Sequence, residues 1–203
     1  MRKLFVVAML ATMLLSIAAI AQPIDPDPDQ FGIYFDLNAT NNFDPSIAAG
    51  GSINIYLMVT NPSAPQIMAW ECKVVWDQMG GGFFGSWAFA NNGINVGDVS
   101  NPANLLFAVG TGANPIVTTP ATLLATWSGY YAYGTGSTFT IQPYPGTASF
   151  DPPAPGYAID EVNLQPCGVT SGSFDAPCAA FGAAAEPVAN QDMSWSNVKS
   201  LFR

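Results

Sequence analysis

The chain has 203 residues, 14 of them acidic against five basic, with no histidine and a formal net charge of −9. The acidic excess repels phosphate backbones and anionic lipid headgroups, which excludes nucleic-acid binding. Without histidine there is no Ser-His-Asp triad, no Cys-His pair and no histidine-ligated zinc, so binding without catalysis or carboxylate chemistry are the classes left open.

Residues 1–21 read as a cleaved export signal. Arg2 and Lys3 precede an apolar run over residues 4–20 that is broken only by Thr12 and Ser16, and Ala19-Ile20-Ala21 gives the small-x-small cleavage pattern. The run is short for a membrane span, which takes about 20 apolar residues, and it ends in small residues rather than a basic stop. Cleavage is expected before Gln22, where no cysteine stands to carry a lipid anchor. The expected location is outside the cytoplasm, secreted or at the cell surface, with no membrane insertion after cleavage; the short basic signal suits a bacterial source.

Residues 22–31 form an Asp/Pro leader containing Asp25-Pro26-Asp27-Pro28-Asp29. Alternating Pro and like charges predict an extended, solvated spacer. The carboxylates are the right type for calcium, but their spacing is not that of a calcium loop, and no metal is assigned.

The body, residues 32–185, is a series of short β-like runs between Gly, Pro and Asn clusters. Residues 33–35 start it. In 52–60, Ile53, Ile55, Leu57 and Val59 share one face; in 68–76, Met68, Trp70, Cys72, Val74 and Trp76 do, with Glu71 and Lys73 on the wet side. Residues 86–90, 105–109, 123–133, 138–141 and 157–164 are further strands. With 17 prolines, 19 glycines and no helical periodicity before residue 190, the chain is expected to be an all-β antiparallel sandwich.

Particular runs carry a resemblance. Ala49-Gly50-Gly51-Ser52-Ile53-Asn54-Ile55-Tyr56-Leu57, then Asn61-Pro62, then Ile67-Met68-Ala69-Trp70-Glu71-Cys72-Lys73-Val74-Val75-Trp76-Asp77 resemble the opening strands of cohesin-type domains. Those open with a glycine turn, an alternating strand, a short Asn/Pro loop, and a second alternating strand closing on an aromatic residue and Asp. Asn104-Leu105-Leu106-Phe107-Ala108-Val109 and Ala121-Thr122-Leu123-Leu124-Ala125-Thr126-Trp127 are similar to the middle strands of that family. The resemblance implies a jelly-roll-like sandwich and a non-catalytic interaction or scaffold module with a protein partner or self-association. It assigns no cofactor and no binding residue.

Other chemistry is thin. Gly80-Gly81-Gly82 lacks the Lys-Ser/Thr of a phosphate loop and reads as a turn. Asp160 and Glu161 are the only adjacent acids, and neighbours on a strand point to opposite faces, so the carboxylate-hydrolase class has no catalytic residues to name. Cys167 and Cys178 flank Gly172-Ser173, and a hairpin turning there would oppose them within disulfide range. Cys72 is then a free core thiol. Trp127, Tyr131 and Tyr133 fall at one parity of 123–133, either as core or as a strip on which sugar rings stack, the latter making a carbohydrate-binding module the rival reading. In the tail, 186–203, Ser194 caps a short helix whose Trp195, Val198 and Phe202 share a face beside Lys199 and Arg203. Too short to stand alone in water, that helix docks either on its own sandwich or on a partner.

Overall fold

A computed structural model describes residues 25–146 and 149–187. The residues read as an export signal and those read as a tail helix, with Trp195, Val198, Lys199 and Phe202, lie outside the described residues.

Among the described residues the fold is two packed β-sheets. The first has five strands in the order β14 (Gly168–Val169), β1 (Gln30–Tyr34), β3 (Gly51–Thr60), β10 (Ala121–Tyr133) and β6 (Gly82–Phe89). The second has eight. Its path runs β13 (Leu164–Pro166), β12 (Gly156–Ala158), β5 (Ala69–Asp77), β11 (Gly136–Gln142), β15 (Ala179–Gly182) and β2 (Phe43–Asp44). β8 (Leu105–Gly110) lies on the other edge of β5 and β7 (Ile94–Asn95) on β8, while β4 (Gln66–Ile67) and β9 (Ile116–Val117) form a separate two-stranded ribbon.

The expected strands form because their alternation fits a half-buried pleat. Ile55, Leu57 and Val59 of β3 and Trp70, Cys72, Val74 and Trp76 of β5 all point into the space between the sheets. Aromatic rings fill one end of that space: Trp76 meets Trp127 edge-on at 5.1 Å, and Phe83 stacks on Tyr131 at 4.7 Å. Trp76 finds its polar partner inside as well, its Nε1 donating to Ser137 Oγ at 2.6 Å.

Three expectations are corrected. The sandwich is not wholly antiparallel, since β1 pairs β14 and β15 pairs β2 in parallel. The stretch read as one strand over 157–164 is a hairpin of β12 and β13. The 167–178 hairpin does not form, and Cys72, Cys167 and Cys178 are all free and buried. The residues after Cys167 complete the edge of the first sheet and those after Cys178 join the second, so the two flanks part into different layers instead of pairing. Closing two open sheet edges satisfies more backbone groups than an isolated two-stranded hairpin, which is marginal in water.

Candidate functional site

Strand parity gives the second sheet an outward face as well as a core face. Across β12, β5 and β8 the register places Gly156, Glu71 and Ala108 in one row and Ala158, Ala69 and Gly110 in the next. Five of these six have one side-chain carbon or none, so the sheet surface sinks into a trough of about 300 Å³. Exposed Val96 walls one side, and Leu164 the other. Phe150 closes one end: a Cβ at Gly156 would sit 2.3 Å from its ring, so only glycine admits the ring there. Glu71 is held on the floor, its carboxylate accepting from the Ser149 backbone N–H and hydroxyl at 3.0 Å each. The result is an apolar channel with one anchored carboxylate.

A second polar centre lies behind this sheet. Residues 25–29 are not a solvated spacer. Asp25 and Asp29 are buried, and the Asn61 side-chain amide donates to the carbonyls of Asp25 and Asp27 at 3.0 and 3.3 Å. The Asp29 carboxylate accepts from the Ser63 N–H at 2.8 Å and the Tyr157 hydroxyl at 2.5 Å. Burial, then that hydrogen bond, pushes the Tyr157 phenol well above its ordinary range. The leader is thereby pinned to the strand that floors the trough.

The sugar-stacking strip over Trp127, Tyr131 and Tyr133 does not exist as one face. Trp127 and Tyr131 are 4% and 1% exposed and sit in the aromatic core, while Tyr133 is 61% exposed. The second of two irregularities in β10 explains this. The register shifts between Leu123 and Ala125 and again between Tyr131 and Tyr133, and each extra residue swaps the inward and outward parity. Leu123 consequently packs against the small cluster of Tyr34, Ala39 and Met58 on the outer side.

The thiols are chemically quiet. Burial raises Cys72 well above the ordinary thiol value, with Cys178, Glu71 and Cys167 adding to the effect; burial pushes Cys178 up to about 12. Asp160 is committed to the β12–β13 turn. Its carboxylate accepts from the Asn163 side chain and from the Val162 and Asn163 N–H groups, and those bonds lower its pKa. Among the described residues no group of three or more His, Cys, Asp or Glu is placed to hold a metal ion.

No family model matches the chain, and no curated protein does. Solved structures do. The sixth cohesin of scaffoldin B from Acetivibrio cellulolyticus, determined in complex with a Cel5 dockerin mutant, superposes with a TM-score of 0.50 at 12% identity, covering 78% of this chain and 100% of that one. A cohesin module of a family 33 glycoside hydrolase from Clostridium perfringens gives 0.46 at 8% identity, over 69% and 91% of the two chains. The seventh ScaB type I cohesin from Pseudobacteroides cellulosolvens gives 0.46 at 10% identity, over 81% and 96%. The fold is cohesin-like.

Proposed function

We propose that this chain is an exported, non-catalytic protein-interaction module that docks an apolar segment of a partner in the trough of its second sheet. The trough carries the reading. Its Ala/Gly floor lets a partner's side chains approach the sheet closely, Val96 and Leu164 offer exposed apolar walls, and the anchored Glu71 supplies one charged contact to fix orientation. The cohesin-like fold supports it, since the Acetivibrio cohesin was determined bound to a dockerin. A partner of that kind is the first to try. Export rests on the basic, apolar and small-x-small pattern of residues 1–21.

The test is a photo-crosslinking amino acid at Val96, used to capture partners from the secreted proteins of the source. A discrete crosslinked species is expected that disappears in Ala108→Arg, which fills the trough, while the melting temperature is unchanged. Capture that is indifferent to Ala108→Arg, or no discrete species at all, would sink the reading.

A further inference from the structure

The five strands of the first sheet contain no Asp, Glu, Lys or Arg, in a protein whose net charge is −9. On one part of this sheet's outer side Tyr34, Ala39 and Met58 form a buried cluster, with Tyr56, Ala121 and Leu123 packed against it. Another part is exposed, and the register maps it. Phe84, Tyr130 and Ser52 stand in one row across β6, β10 and β3, and Ser86, Ser128 and Asn54 in the next. All six are exposed, Phe84 at 65% and Tyr130 at 46%. Tyr133, turned outward by the second irregularity of β10, lies over Gly82: a Cβ there would be 2.4 Å from its ring, so the glycine makes room for it. Three rings thus gather at one end of this exposed face, beside a row of two hydroxyls and an amide.

We propose that this face binds a neutral polysaccharide. Pyranose rings present apolar C–H faces that pack on aromatic rings, and a rim of hydroxyls that need neutral donors and acceptors. Ser52, Ser86, Ser128 and Asn54 supply both beside the rings, each side-chain hydroxyl or amide able to donate and accept. The lack of charge favours an uncharged ligand: phosphorylated or uronic glycans find no cation on these strands, and a basic protein finds no carboxylate. The face lies on the opposite side of the sandwich from the trough, so it adds a second binding function that does not depend on the first.

The experiment uses the full chain on an array of neutral glycans with gluco-, manno-, xylo-, galacto- and N-acetylhexosamine backbones, with alginate as the anionic control. Binding to at least one neutral backbone is expected, unaffected by added salt and absent on alginate. Phe84→Ala and Tyr130→Ala should each weaken it by about tenfold, which corresponds to ~1.4 kcal/mol. Asn54→Asp should weaken it with no change in melting temperature. Ala108→Arg should leave it intact, which separates this result from the fate of the trough. Retention on no neutral glycan overturns the proposal, as does a preference for alginate. A change of oligomeric state in Phe84→Ala without glycan binding overturns it too, and makes the rings a contact between copies of the chain.

Discussion

The two sheets use the same inward alternation and present opposite surfaces. The first has no charged residue in its strands and raises rings and hydroxyls into solvent; the second carries Asp44, Glu71, Lys73 and Asp77 and hollows out between small residues. The inward positions are constrained alike because both sheets fill one core, as Ile55 and Val59 do from one side and Val74 and Trp76 from the other. The outward positions answer only to what they meet. One core therefore supports two independent surfaces.

That independence fails first where both sheets share a residue. Trp127 spans the interior to meet Trp76, and Trp127→Ala should cost about 3–5 kcal/mol by denaturant titration, as large-to-small aromatic substitutions in cores do. It should impair both surfaces together. Loss of one kind of binding alone would mean that the rings and the trough are not carried by a common core. A smaller and one-sided effect is expected from Tyr157→Phe, which strips a buried donor from Asp29 at a cost of about 1–3 kcal/mol. Because Tyr157 belongs to β12, partner capture at the trough should weaken while glycan binding at Phe84 and Tyr130 persists. Equal losses on both faces would break the comparison.

A gradual effect is expected from pH. Cys72 on β5 and Cys178 beside β15 both have pKa values raised by burial above the ordinary 9.0, so the fold favours the neutral thiols. Their contribution is complete below pH 9.0 and is lost as pH rises past it, toward about 12 for Cys178. Urea midpoints should fall across that window, and Cys178→Ala should flatten the fall. A midpoint indifferent to alkaline pH would contradict the burial of these groups.

How much of this was legible depended on how strictly each strand alternates. The run of Ile53, Ile55, Leu57 and Val59, and that of Trp70, Cys72, Val74 and Trp76, announce their strands and faces directly, and the cohesin-like opening follows from them. β10 announces its strand but not its faces, because nothing in Leu123-Leu124-Ala125 or Tyr130-Tyr131-Ala132-Tyr133 marks where an extra residue enters. β14 and β15 are too short for any period, and Ala179-Ala180 looks like loop. The burial of Asp25 and Asp29 depends on Asn61, Ser63 and Tyr157, partners that lie far along the chain. The trough left one readable trace: Ala69, Ala108 and Ala158 all take the outward parity of their strands. Small residues weaken a strand signal, so the feature that makes the trough also hides it.

The parallel pairings also govern the order of assembly. β1 awaits β14 and β2 awaits β15, and the Asn42 side chain reaches a carbonyl 136 residues later, at Cys178. The first strands to be made are thus completed by almost the last. Topologies that depend on such distant closures fold slowly, on the order of milliseconds to seconds. Until residue 168 is available, the open edge of β1 is a template for any passing strand. A chain cut short before that point should therefore aggregate from its beginning, although the missing residues are at its end.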